Sequence, residues 1–452
     1  MGAFEVRGVV EGFYGAAYAQ PEREGLLRFL GRLGYDTYYY GPKNDRQHRA
    51  RWREPYGPRA MEDFGRSVEA ASAAGVEFVY TLSPGLDISY SSAEDLAAIR
   101  EKFAALMALG VRSFGLFLDD INPTFKHAAD AERFPSFAAA QAALCNGVLG
   151  WLRENREDAA LVMCPTAYHG APPFGDYHHE LGARLAPEVD VFYTGTEVCS
   201  ATISRHEVQA FAQALRRAPL IWDNYPVNDG GMSDELHVEP IRGRAADLAG
   251  CAKGFAVNPM NQAEASKVTL HTFAAYLADP VAYDPEEAWQ AALSAVAGED
   301  HAAAMQAFAR TCRHGVLAEE PAPELAKLAA AAQAALGPGA GRAVADDPAV
   351  VALWDHLKQL DEACYALKFH LRNFALRAEI LPWVEALESW LWSGIRALEV
   401  IAAAQAGDEV SVPLRRLKEP YATARAHHKR SGGEELGPFI ELALATHAGV
   451  PA

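Results

Sequence analysis

SSAEDLAAIREKFAALMALGVRSFGLFLDD, residues 91–120, carries one helix, one strand and a pair of acids. Leu96, Ile99, Phe103, Leu106 and Leu109 recur at helical spacing, and the opening Ser-Ser-Ala-Glu-Asp reads as a helix start with acids in its first turn. FGLFLDD (114–120) is a short apolar and aromatic run, which reads as a buried strand. It stops on Asp119 and Asp120, two like charges in one place. A solvated turn or helix cap is the plain reading of that pair, and catalysis is the other.

Runs of the same kind recur along the first 260 residues: VRGVVEGFY (6–14), DTYYYGPK (36–43), EFVYTLSPG (77–85), LVMCPTAY (161–168), VDVFYTGTE (189–197), PLIWDNY (219–225) and KGFAVNP (253–259). With 114–120 they make eight, and amphipathic stretches such as PEREGLLRFLGRLG (21–34) separate most of them. Strands alternating with helices imply a parallel sheet. Eight such units in about 260 residues are what a (β/α)8 TIM barrel needs. An open doubly wound sheet competes, but AAYAQPERE follows EGFYG and supplies no G-x-G-x-x-G phosphate turn.

Beyond about residue 280 the strand signal ends. Residues 285–430 are rich in Ala, Leu and Glu at helical period, with breaks expected at PAPE (321–324), GPGAG (337–341) and Pro382. The stretch 348–407 reads as one helix kinked or broken at Pro382, or as two, and HHKRSGGEELGP (427–438) reads as a loop. The expected class is therefore α/β, a barrel over 1–280 followed by an all-α helical bundle over 281–452.

The formal net charge of −18 argues against nucleic acid and anionic membrane as partners. MGAFEVRGVV lacks the basic and apolar regions of a signal peptide, and there is no run of about 18 apolar residues for a membrane span. Six scattered cysteines without a Cys-x-x-Cys pair fit a reducing, cytoplasmic setting. His178-His179-Glu180 is not H-E-x-x-H spacing, and adjacent histidines on a loop are expected to be solvated. We expect no metal and no cofactor.

Chemistry in this barrel sits at the carboxyl ends of the strands. Those ends carry Glu11-Gly12-Phe13-Tyr14, Pro42-Lys43-Asn44-Asp45, Asp119-Asp120, Cys164-Pro165-Thr166-Ala167-Tyr168, Trp222-Asp223-Asn224 with Asn228-Asp229, and Asn258-Pro259-Met260-Asn261. Carboxylates and amides hydrogen-bond sugar hydroxyls, and aromatic faces pack on pyranose rings. No Ser-His-Asp order or G-x-S-x-G elbow points to acyl transfer. Glycosidases usually set two carboxyl groups on opposite sides of the scissile bond. Neighbours on one strand end tend to lie on one side. They suit a substrate whose own 2-acetamido oxygen attacks the anomeric carbon. One aspartate then protonates the leaving oxygen and the other takes the acetamido N–H, with proton affinities driven apart by crowding.

RGVVEGFYG (7–15), TYYYGPKND (37–45), HRARWREPY (48–56), FGLFLDDI (114–121), CPTAY (164–168), WDNYPVND (222–229) and NPMNQAEAS (258–266) together resemble glycoside hydrolase family 84, the O-GlcNAcases and bacterial β-N-acetylglucosaminidases. The resemblance covers nearly the whole barrel; the bundle matches only in general character. It implies retaining, substrate-assisted removal of terminal β-linked GlcNAc from a glycoconjugate. It also implies that Asp119 orients and polarises the acetamido group and that Asp120 is the acid, then the base. The Gly12 backbone and Lys43 would hold the sugar near O3, and Asp229 and Asn258 would bind O4 and O6. Asn224 and Tyr168 would steady the acetamido group or the acid, while Cys164 and Trp222 wall the methyl pocket. Asn261 shares the motif of Asn258, so the choice between them stays open. Asn44 stands where relatives often carry Asp, and Ala167 where some carry Glu. Trp52 with Arg51, Arg53 and Glu54 reads as a structural clamp, and Trp383, Trp390 and Trp392 as packing within or between bundles. The resemblance permits a homodimer through the bundle. Two further functional readings are an endo-acting hyaluronan hydrolase and a GlcNAc-binding barrel without turnover.

Overall fold

The structure, a computed structural model, describes residues 3–312, 322–336 and 347–446. The chain divides into two compact units, Met1–Gly230 with Pro240–Ala288, and Gly231–Glu239 with Trp289–Ala452.

In the first unit all eight strands form: β1 Val6–Glu11, β2 Thr37–Tyr40, β3 Glu77–Leu82, β4 Ser113–Phe117, β5 Ala160–Cys164, β6 Val189–Tyr193, β7 Leu220–Asp223 and β8 Gly254–Val257. They pair in parallel in chain order, and β8 closes on β1. The helix read from residues 91–110 spans Ala93–Met107. Ser92 caps it by accepting from the Asp95 N–H, and Ile99, Phe103 and Leu106 are buried.

Because successive strand residues face opposite ways, every second residue of each strand points into the barrel interior. Val10, Tyr39, Val79, Phe117, Val162, Phe192, Leu220 and Ala256, one from each strand, pack together in the apolar core. Two positions further along each strand, the same face carries Gly12, Gly41, Thr81, Asp119, Cys164, Thr194, Trp222 and Asn258. The opposite face turns to the helices. Glu11 is fully buried there and accepts from Arg23 at 2.8 and 2.9 Å and from the Tyr38 hydroxyl at 2.5 Å. Asp223 is likewise held by Arg244 at 2.5 and 2.7 Å. These two carboxylates, counted above among the strand-end polar groups, pair with arginines on the outer face of the barrel.

Trp52 is buried and donates to Asp87 at 2.7 Å, with Arg53 stacked 4.2 Å over its ring and forked onto Asp95. His178 is a correction: it lies on the helix Asp176–Arg184, not a loop, and is buried with Nε2 2.9 Å from the Ala167 carbonyl oxygen.

The second unit is helical. Its apolar core includes Leu353, Leu357, Leu387, Leu391 and Ile440. The long stretch is two helices, Pro348–Phe369 and Phe374–Ala406, but the break falls at 370–373 and Pro382 lies inside the second. Asn373 explains the restart, because its side chain caps the Leu376 N–H. Pro382 removes only one ladder bond. The loop expected over 427–438 is shorter, since the helix Gly433–Thr446 starts within it, with Glu434 and Glu435 in its acidic first turn. Of the other expected breaks, 337–341 and position 321 lie outside the described residues, and the helix Pro323–Ala335 begins inside 321–324. Trp383 is buried and donates to the Asp234 carbonyl, Trp390 lies against Tyr421, and Trp392 is half exposed. No helix among the described residues is long and apolar enough to cross a membrane.

Candidate active site

The interior layer above the apolar core opens into a cavity of about 490 Å³, counted to its mouth, at the carboxyl ends of the strands. All ten residues singled out in the sequence line it: Gly12, Lys43, Asp119, Asp120, Cys164, Tyr168, Trp222, Asn224, Asp229 and Asn258.

The tandem acids reach one cavity by different routes. Asp119 continues the alternation from Phe117, two positions back, and so faces inward. Asp120 would then face the helices, but its backbone is left-handed, with φ 55°. That turn breaks the alternation and brings its carboxyl to the same cavity. Asp tolerates this conformation better than most residues. The pair is anchored on both sides, since Leu118 N–H donates to the Cys164 carbonyl at 2.9 Å, Thr166 Oγ1 donates to the Leu118 carbonyl at 2.6 Å, and Arg49 reaches the Asp120 carbonyl at 3.3 Å.

The two carboxyls have different surroundings. Asp119 is buried, and its Oδ2 is ion-paired with the buried Lys43 ammonium. Its Oδ1 is buried without a hydrogen-bond donor among the described residues. Asp120 is exposed and accepts two phenols, Tyr14 on Oδ2 at 2.7 Å and Tyr168 on Oδ1 at 2.8 Å. Although the residue keeps an open side, partial desolvation by the cavity walls pushes the Asp120 proton affinity up. The Lys43 charge, the two phenol hydrogen bonds and the Arg49 charge outweigh it, so the carboxyl sits below its ordinary range. Asp229 shifts the other way, raised by burial and by the Asp120 charge against the Tyr14 N–H that donates to it at 2.6 Å. Burial and the Asp120 carboxylate also push the Tyr168 phenol up. Burial raises the Cys164 thiol well above its usual range and Cys199 to about 11, so neither is a ready nucleophile.

The far wall is an amide network. Asn258 accepts from the Gly12 N–H at 3.2 Å and donates to Asn224 at 2.9 Å. Asn224 Oδ1 also accepts from the Trp222 indole at 2.8 Å, and Asn224 Nδ2 donates to the Val198 carbonyl at 2.8 Å. Position 12 has to be glycine, because a Cβ there would stand 2.4 Å from the Trp222 ring. Asn261 is not among the cavity-lining residues; its amide donates to the Tyr14 and Ala16 carbonyls at 3.0 and 3.1 Å.

Tyr14, Thr194, Val198, Cys199 and Val227 also line the cavity and were not singled out as site residues. Thr194 was legible, since it stands two positions beyond the inward Phe192. Tyr14 stands four beyond Val10. Val198, Cys199 and Val227 come from loops and left no periodic signal. Among the described residues no group of three or more His, Cys, Asp or Glu could hold a metal ion.

The family model for beta-N-acetylglucosaminidase matches residues 7–310. Protein O-GlcNAcase of Rattus norvegicus and of Mus musculus are each 36% identical over 274 residues, which cover 60% of this chain and 29% of each relative's length. Among solved structures, a mutant of the Thermobaculum terrenum O-GlcNAc hydrolase superposes with a TM-score of 0.90 at 30% identity, covering 98% of this chain and 95% of the other. CpGH84B superposes at 0.85 with 26% identity, covering 98% of this chain and 77% of that one.

Proposed function

The chain belongs to glycoside hydrolase family 84, and from that premise we propose that it removes terminal β-linked GlcNAc from glycoconjugates, with retention, by substrate-assisted catalysis. The observation that carries this reading is Asp119 Oδ1, a buried carboxylate oxygen with no donor among the described residues beside an ion-paired partner oxygen. A buried acceptor left unpaired costs about 1–3 kcal/mol, more when charged, and the acetamido N–H of a bound GlcNAc satisfies it.

In this reading Asp119 takes that N–H and steers the acetamido oxygen onto carbon one from the face opposite the leaving group. Lys43 keeps Asp119 oriented, and as an ammonium it has further donors for the sugar's O3. Asp120, at the exposed side, gives its proton to the departing oxygen while the oxazolinium ring closes. It then takes a proton from the water that reopens the ring. Asp119 balances the ring's developing positive charge. Cys164 and Trp222, with Phe117 packed 5.1 Å from Trp222, wall the methyl group. Asp229 and Asn258 take O4 and O6. The Gly12 N–H is already used by Asn258, so the Gly12 carbonyl is the group assigned to the sugar's hydroxyl edge. Asn224 is drawn on by three neighbours and holds the wall, whereas Tyr168 bonds the acid directly.

The test is a matched pair of aryl glycosides, one with acetamido at C2 and one with hydroxyl. The acetamido glycoside should turn over and the glucoside should not; ready hydrolysis of both would require a nucleophile from the protein. We further propose a homodimer through the bundle, supported by Tyr365, Phe369 and Phe374, which are 56%, 54% and 69% exposed near one helix junction. A monomer in sedimentation equilibrium at micromolar concentration would refute it.

A further inference from the structure

Tyr14 is tied to three walls of the cavity. Its N–H donates to Asp229, its carbonyl accepts from Asn261, and its phenol donates to Asp120 Oδ2 at 2.7 Å. Gly15 follows with φ +96°, and a Cβ there would come 2.8 Å from the Asn261 amide, so the tip is shaped around these contacts. The backbone is pinned, yet Tyr14 as a whole is 40% exposed; Tyr168, the other phenol on Asp120, is 9% exposed. One phenol is therefore packed in place and the other can swing away.

Resting on the acid role proposed above for Asp120, we infer that Tyr14 is a positioning residue. Its phenol occupies Asp120 Oδ2 in the empty site and yields that oxygen to the glycosidic oxygen of an arriving substrate. A carboxyl that accepts O–H bonds on both oxygens is held as the carboxylate. A proton donor must free one oxygen to carry the proton and aim it at the leaving group. Asp120 is faced by Lys43 and Arg49 from the β2 side, Tyr14 from β1, Cys164 and Tyr168 from β5, Asp229 from β7, and Asp119 beside it. Lys43, Arg49 and Tyr168 act in the free and the occupied site alike. The Tyr14 bond is the one substrate breaks. Asp120 then draws a proton from bulk water as the sugar and aglycone shut solvent out, and passes it to the departing oxygen.

The experiment compares pH profiles of native protein and Tyr14→Phe on an aryl β-GlcNAc with a poor leaving group, such as 4-methoxyphenol. The alkaline limb of kcat/KM reports the free enzyme and that of kcat the complex. In the native protein the kcat/KM limb should lie at lower pH than the kcat limb. Tyr14→Phe should raise the kcat/KM limb by about one pH unit, the scale of one hydrogen bond to a charged group, and leave the kcat limb in place. Limbs that do not move, with or without a uniform drop in rate, overturn the inference, as do limbs that move together. Asp120→Asn run in parallel separates the two levels. If that variant cleaves the poor leaving group as well as the native protein, the acid assignment itself has failed. If it shows selective loss while Tyr14→Phe leaves the limbs unmoved, only the role of Tyr14 has failed.

Discussion

Replacing each tandem aspartate by asparagine should separate their tasks by leaving group. Asp120 sits at φ 55°, a conformation asparagine tolerates as well as aspartate does, so Asp120→Asn adds no backbone strain. The carboxamide offers one acceptor oxygen where the carboxylate offered two, and its NH2 meets the other phenol. A tyrosine hydroxyl can turn and accept, so the fold should lose about 1 kcal/mol or less. What is lost is a proton donor, worth roughly 10²–10⁴ in rate, or about 3–5 kcal/mol of barrier. A 2,4-dinitrophenyl leaving group needs no proton, so kcat/KM on it should fall less than about tenfold, while on 4-methoxyphenyl the full loss should appear. Asp119→Asn differs on both counts. It removes the charge that balances the oxazolinium ring, a loss of roughly 10²–10³ whatever the leaving group. It also strands the buried Lys43 ammonium, at a cost of about 3–5 kcal/mol in stability. The assay is kcat/KM across a series of aryl β-GlcNAc substrates graded in phenol acidity. Asp120→Asn should give a steep dependence and Asp119→Asn one close to native. Equal slopes for the two variants would refute the division of labour.

Two other measurements probe the supporting structure. Lys43→Met should destabilise the protein by about 3–5 kcal/mol in denaturant melts and slow turnover, and in combination with Asp119→Asn the stability losses should be well short of additive; simple addition would mean that the two groups do not compensate each other. In the bundle, burial raises the Glu435 carboxyl to about 7 against the pull of its own backbone N–H, and no other described residue hydrogen-bonds either oxygen. Both states carry the proton below the unfolded value near 4.5. Between there and about 7 the folded state keeps a proton that the unfolded chain releases, so stability falls with rising pH and the loss is complete above 7, at most about 3 kcal/mol. Glu435→Gln should flatten that fall, and an unchanged pH dependence of the bundle's unfolding would count against the burial argument.

The barrel was legible because its signal is local and repeated. Each strand shows a short apolar run, and each end shows polar residues at a fixed offset. The same alternation separates site from scaffold: Gly12, Trp222 and Asn258 share the inward face, whereas Glu11 and Asp223 face the helices and find Arg23 and Arg244. Asp120 was the exception, since period-two alternation sends it outward and only a left-handed backbone returns it. Lys43 was read as a sugar ligand, and its ion pair with Asp119 joins groups 76 residues apart, which no local pattern announces. Val198, Cys199 and Val227 are loop residues whose placement depends on tertiary packing. In the bundle, proline was weighed over capping. Asn373 decided where the long helix restarts, while Pro382 was absorbed at the loss of one hydrogen bond.

The central claim is that the acetamido oxygen of the substrate forms the bond to carbon one. The most direct measurement is kcat/KM on aryl β-glycosides whose N-acetyl methyl carries none, one, two or three fluorines, each of which drains electron density from that oxygen. The account predicts a stepwise fall, roughly a hundredfold or more over the series, equivalent to about 2.7 kcal/mol in the barrier. Rates that stay level as fluorine is added would contradict it.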